Sequence, residues 1–239
     1  VNNTLVQSSG TSGTYSGINM GGSTSQENNF YNVTVKSSTG HGIDLMGSRN
    51  NTFNQVVSKE NTKSGIYSEY QVYNLEVINS NISHNDDKGF YFYDRLTASR
   101  IEDTIVTYNG EDGIFVEINT EVCDDWDSDC DDDDLISNNV FENLTVTHNS
   151  DFGIYMITKG ERDHYMQNNK VLNSTITNNG DAGVSLQGKE CCNNNPYYNE
   201  ILNNYIANNS GDGIYLLGHY RAALFYNLIQ NNTVIYNAG

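Results

Sequence analysis

The chain has 239 residues and a net charge of −18, from 12 Lys+Arg against 30 Asp+Glu; 36% is hydrophobic, with one Pro, 17 Tyr and 37 Asn. Such sparse cations do not suit nucleic-acid phosphates, and no apolar run approaches the ~20 residues of a bilayer span, so neither nucleic-acid binding nor membrane insertion is expected. Low hydrophobicity with high charge favours disorder, but apolar residues recurring at fixed spacing oppose it.

From about residue 17 the sequence repeats a unit φ-x-N-x-x-φ-x-x-N-x-x-x-G-φ, with φ apolar. The first Asn column reads Asn32, Asn54, Asn79, Asp103, Asn143, Asn173, Asn203 and Asn231. Two residues earlier stand Phe30, Thr52, Val77, Ile101, Phe141, Val171, Ile201 and Ile229, and three residues later Val35, Val57, Ile82, Val106, Val146, Ile176, Ile206 and Val234. A second column follows at Asn85, Asn109, Asn149, Asn179, Asn209 and Asn237, then glycines at Gly42, Gly65, Gly89, Gly113, Gly153, Gly183 and Gly213, with Gly17 a weaker first copy. A single unit cannot bury its apolar face, so neighbours must stack, about 4.8 Å apart. Identical residues then lie above one another: Asn amides form coil-to-coil ladders, and Gly supplies positive φ or close backbone approach. The expected fold is all-β, a right-handed parallel β-helix of about eight coils forming one domain over 1–239, with 1–16 as an irregular first coil.

Alternation after each glycine places Asn19, Asp44, Tyr67, Tyr91, Phe115, Tyr155, Ser185 and Tyr215 on the outer face. Tyr67, Tyr91, Phe115, Tyr155 and Tyr215 form a stripe that either stacks sugar rings or stabilises the sheet by packing along it. The interval from glycine to the next Asn column is 12 to 15 residues in early coils, then 30, 20, 20 and 18. The insertions therefore gather at one corner, where a rigid scaffold usually carries function.

The first insertion, 117–137, is acidic. Asp124, Asp125, Asp127, Asp129, Asp131 and Asp133 supply the hard oxygen donors that Ca²⁺ takes, although Cys130 and Ile136 stand where an EF-hand loop needs Gly and Glu. A solvated acidic loop is the alternative. Cys123, Cys130, Cys191 and Cys192 lack zinc or redox spacing, and their even number points to disulfides in a secreted protein. The later insertions offer Arg162, Asp163, His164 and Tyr165, then Lys189, Glu190, Tyr197 and Tyr198, then His219, Tyr220 and Arg221: a base, a phenol and cations, as proton abstraction next to a uronate carboxylate requires. A polar loop surface without chemistry is the alternative. His84 and His148 share a column with Tyr108 between them, too far apart for one metal ion.

The N-x-x-φ-x-x-N-x-x-x-G-I pattern over residues ~17–239 resembles the parallel β-helix repeat superfamily: pectin-type hydrolases and lyases, alginate epimerases, NosD-like periplasmic proteins, phage tailspikes and archaeal surface proteins. Gly40-His41-Gly42 and Arg100-Ile101-Glu102 resemble two polygalacturonase elements, but the acidic elements expected upstream are absent. The resemblance implies the fold more than any activity.

Eight N-x-S/T sequons occur. Asn32, Asn143, Asn173 and Asn231 lie in the first repeat column, where glycans would conflict with a ladder, which leaves Asn2, Asn50, Asn81 and Asn208 as acceptors. The chain opens without Met and stops within a coil without an evident cap, as a processed protein or a fragment would. These features lead to the expectation of an extracellular or cell-surface structural solenoid that self-associates, binds Ca²⁺ and contacts polysaccharide. The alternative is a polysaccharide lyase, epimerase or hydrolase using the His/Tyr/Arg loop edge.

Overall fold

The structure, a computed structural model, describes residues 1–7, 15–21, 25–120, 135–160, 164–189, 195–218 and 224–239. Every named element is a strand and every pairing is parallel. One coil shows the pattern. Leu96–Thr97 joins a five-stranded sheet, Arg100–Glu102 and Ile105–Thr107 both join a 16-stranded sheet, and Ile114–Thr120 joins an eight-stranded sheet. The eight-stranded sheet gains one strand per coil, which makes eight coils, and Leu228–Gln230 and Thr233–Ile235 begin another. This is a parallel β-helix.

The core is the inward column of each sheet. Val35, Ile82, Val106, Val146, Ile176 and Ile206 are fully buried on one wall, and Ile43, Ile66, Phe90, Ile114, Ile154 and Val184 on another. Each such side chain contributes about 1.5–3 kcal/mol relative to exposure. Repetition makes these contacts add along the axis rather than around a centre.

The ladder lies elsewhere than the first Asn column. Asn32, Asn79, Asp103, Asn143, Asn173, Asn203 and Asn231 have φ between 49° and 60° and exposed side chains. They mark left-handed corners, where Asn is the least strained residue after Gly. Glycans at Asn32, Asn143, Asn173 or Asn231 therefore do not conflict with the ladder, contrary to the sequence expectation. The hydrogen-bonded ladder is the second column, which starts one coil earlier than expected, at Asn61. Asn61 Nδ2 donates to Asn85 Oδ1 at 2.8 Å, and the same bond repeats through Asn109, Asn149, Asn179 and Asn209 to Asn237 at 2.9–3.0 Å. A further ladder, unseen in the sequence, runs Asn139, Asn169, Asn199, Asn227. In both, the ladder residue directly follows a left-handed one such as His148 or Asn138.

The coil at 52–59 is offset by one residue from the expected register. Phe53 pairs with Phe30 and Val77, Ser58 with Val35 and Ile82, and Gln55 holds the left-handed corner at φ 58°. Thr52, Asn54 and Val57 accordingly leave the columns assigned to them. A one-residue slip exchanges the faces of a strand, and burying Phe53 outweighs burying Val57. Ser58 tolerates full burial because its hydroxyl donates to Gly65 O at 2.8 Å and accepts from Asn61 Nδ2 at 3.2 Å.

The repeat glycines serve close approach. Among the described residues only Gly21 and Gly47 are glycines with positive φ. At Gly113 a Cβ would meet Gly153 O at 2.6 Å, Val146 Cγ1 at 2.7 Å and Asn149 Nδ2 at 2.8 Å. Any side chain there would push the ladder away from its own coil.

Candidate functional site

Register aligns the outer column of the eight-stranded sheet as Asn19, Asp44, Tyr67, Tyr91, Phe115, Tyr155, Ser185, Tyr215. From Tyr67 to Tyr155 the ring centroids follow one another at 5.4, 5.3 and 5.1 Å. In three coils the residue before the repeat glycine covers one flank of this stripe. His41 stacks on Tyr67 at 4.0 Å, Lys88 Nζ lies 4.9 Å from the Tyr91 ring centroid and 5.3 Å from that of Phe115, and Phe152 stacks on Tyr155 at 4.4 Å. Lys88 is itself paired with Asp87 at 3.0 Å and with Glu111. Phe115, only 8% exposed, is thus part of a packed spine, while Tyr67, Tyr91, Tyr155 and Tyr215 are half-buried. Ser185 interrupts the column between Tyr155 and Tyr215.

At that interruption the face becomes polar. Tyr155 Oη donates to Gln187 Oε1 at 3.3 Å, Lys189 Nζ donates to Tyr155 Oη at 3.4 Å, and Gln187 Nε2 donates to Ser185 Oγ at 2.8 Å. Beside them Lys159 Nζ donates to the buried carboxylate of Glu117 at 2.7 Å. Lys159 and Lys189 sit one coil apart because the Ile154–Gly160 strand pairs with Val184–Gly188 in register. Burial, reinforced by the Asp112 and Glu117 carboxylates, raises the Tyr155 phenol, so it stays protonated and can donate. Tyr91 is raised likewise by burial and Glu117, and Tyr67 is pushed up to about 12 by burial and Glu69. Burial lowers His41 to about 4, leaving it neutral, and raises Asp112 to about 7 despite Lys88. This polar set adjoins the edge where the chain leaves the sheet for its insertions, after Thr120, Gly160, Gly188 and Leu217.

Of the expected site residues, Asp124, Asp125, Asp127, Asp129, Asp131, Asp133, all four cysteines, Arg162, Asp163, Glu190, His219, Tyr220 and Arg221 lie outside the described residues. His164 is 2% exposed, and the Tyr165 ring meets Tyr197 edge-on at 5.9 Å on the five-stranded sheet, a different wall from Tyr155. Asn2 and Asn208 are exposed, and Asn50 and Asn81 half-buried. Among the described residues no group of three or more His, Cys, Asp or Glu is placed to hold a metal, and no helix is long and apolar enough to cross a membrane. The sequence had singled out Tyr155 and Lys189 but not Glu117, Lys159 or Gln187. Those three lie in columns four and six residues after the glycine, and only the lengthening of the sheet strands beyond three residues could have signalled them.

Comparison with known proteins fits this geometry. The sequence matches the family described as right handed beta helix region over residues 1–124 and 137–239. Similar solved structures include the A-module of the Azotobacter vinelandii mannuronan C-5 epimerase AlgE6, 18% identical with a TM-score of 0.69, over 91% of this chain and 53% of that one. Pectate lyase Pel9A is 17% identical with a TM-score of 0.56, over 90% and 56%. The A-module of the A. vinelandii epimerase AlgE4 is 16% identical with a TM-score of 0.53, over 89% and 64%. This chain thus spans between half and two-thirds of those structures, and at such identities the likeness is one of fold. No curated protein sequence matches the chain. With its parallel coils and Asn ladders, the chain belongs to the right-handed β-helix family.

Proposed function

We propose that this is an extracellular solenoid that binds an acidic polysaccharide across the outer face of its eight-stranded sheet. One observation carries the reading: where Ser185 interrupts the ring column stands the hydrogen-bonded set Tyr155, Gln187, Ser185 and Lys189, beside Lys159–Glu117, at the edge from which the insertions leave. Tyrosine rings, amides and ammonium groups suit a polyhydroxylated, carboxylated chain. The names of the similar structures, a mannuronan epimerase and a pectate lyase, support polyuronates as probes. Life outside the cell also suits the expected disulfides among Cys123, Cys130, Cys191 and Cys192, glycans, and Ca²⁺ on the acidic insertion. Self-association, the first expectation from the sequence, has no observation that favours it over polysaccharide contact.

The test is titration calorimetry with oligomannuronate and oligogalacturonate. The expected outcome is binding that weakens at least tenfold in Tyr155→Ala. Absence of binding by the intact chain sinks the reading.

A second reading, catalysis at the same place, is favoured by the Tyr155 hydroxyl, held between Lys189 Nζ at 3.4 Å and Gln187 Oε1 at 3.3 Å beside the insertion edge. In a lyase, a base from the insertions removes the proton next to the uronate carboxylate. The new C=C bond then expels the glycosidic oxygen, which takes its proton from Tyr155. Release of ultraviolet-absorbing unsaturated ends, lost in Tyr155→Phe, distinguishes this reading from binding alone.

A further inference from the structure

We propose that the corner at His84, Tyr108 and His148 is a second polysaccharide groove, taking a neutral, hydroxyl-rich chain laid along the solenoid axis. It shares the ligand class of the reading above but none of its residues. An open groove of about 600 Å³ runs along this corner, with Asp86, Gly110 and Ser150 beside the three rings.

The rings stack coil on coil, His84 to Tyr108 at 5.1 Å and Tyr108 to His148 at 4.8 Å, with interplanar angles of 27° and 21°. Rings stacked this way cover one another's faces and turn their edges to solvent, which is where imidazole and phenol carry their polar atoms. Tyr108 is 52% exposed and both histidines are exposed. The three backbones share left-handed geometry, φ 55–56°, so the edges repeat once per coil along a straight line. The Thr147 hydroxyl engages His148 Nδ1 at 2.8 Å, which makes Nε2 the outward atom.

The base is rigid, because Asn85 and Asn109 beneath the groove are held in the amide ladder. It is also open by necessity. A Cβ on Gly110 would meet Asp86 O at 2.1 Å, so no side chain can rise there. Imidazole and phenol groups both donate and accept, as sugar hydroxyls do, and an exposed carboxylate such as Asp86 accepts from adjacent hydroxyls. That carboxylate, in a groove lined by neither Lys nor Arg, disfavours an anionic ligand here, unlike the sheet face with its Lys159 and Lys189. A single metal ion does not fit either, since a whole phenol ring separates the two imidazoles.

The experiment is calorimetric titration of the full chain with cellohexaose and with mannohexaose. Binding of at least one is expected, at least tenfold weaker in Tyr108→Ala and weakened also in Asp86→Ala, which leaves the ring stack in place. Thermal unfolding of each variant reports whether it folds. No binding of either probe, or binding unchanged in both variants, overturns the proposal. So does neutral binding that is lost in Tyr155→Ala and kept in Tyr108→Ala, which would move the ligand to the sheet. Polyuronate binding fails or survives independently of all three outcomes.

Discussion

Asn149 and Asn173 are the same residue type in adjacent coils and play opposite parts. The Asn149 amide donates to Asn179 Oδ1 and to Val106 O, and its Oδ1 accepts from both the backbone and the side chain of Asn109, all in a buried site. Asn173 sits exposed at φ 51°, with one contact at 3.2 Å to Glu142. Asn149→Ala strands several buried donors and acceptors and is expected to cost about 2–4 kcal/mol. Asn173→Ala meets only the left-handed penalty of about 1–2 kcal/mol, and Asn173→Gly removes that too. Urea unfolding of the three variants checks the ranking; an equal cost for Asn149→Ala and Asn173→Gly would mean the ladder does not hold the coils together.

At the scale of the strand and its turns, Ser58 provides the sharpest test of register. It occupies the inward position that Val35 and Ile82 hold in the neighbouring coils. Ser58→Val should therefore be tolerated, within about 1 kcal/mol either way, because apolar burial offsets the hydroxyl's two hydrogen bonds. A loss above ~3 kcal/mol in thermal or urea unfolding would place Val57 inward instead. Spacing in the sequence was enough for the coils, the glycine positions and the outer aromatic column, because stacking forces equivalent residues into line. It did not distinguish the corner Asn of Asn143 from the ladder Asn of Asn149, since backbone strain and amide bonding select the same side chain. The Phe53 coil slipped for a related reason: an apolar residue was available at either register. At the loop edge no repeat operates, so Lys159 and Glu117 meet through strand pairing that residue identity alone does not encode.

For the molecule as a whole, a charge of −18 sets the electrostatic background, and Asp112 is where it reaches the interior. Burial, with Asp151 and Glu111 nearby, raises its carboxyl from the ordinary 3.8 to about 7, against the opposing pull of Lys88 and of the Phe152 N–H, which donates to Oδ1 at 3.1 Å. Between those two values the unfolded chain has released this proton and the folded chain keeps it. The unfolded state then binds fewer protons, so this group lowers stability as pH rises from about 4 to 7, and the loss stays constant above that. His41 works the other way: lowered to about 4, it resists protonation in the fold and removes stability as pH falls below its ordinary 6.5. Two opposed slopes make the profile of the native chain ambiguous, and the difference from Asp112→Asn isolates one of them. Asn can keep the Phe152 hydrogen bond without the charge. The variant should be more stable by about 2–4 kcal/mol at pH 8, with the gain fading to nothing near pH 3. Salt separates this local effect from the general repulsion. At 0.15 M the Debye length is ~8 Å, so surface repulsion is screened while the buried carboxyl is not, and the Asp112→Asn gain should survive in high salt. A gain that disappears with added salt would trace the pH dependence to the surface charge rather than to Asp112.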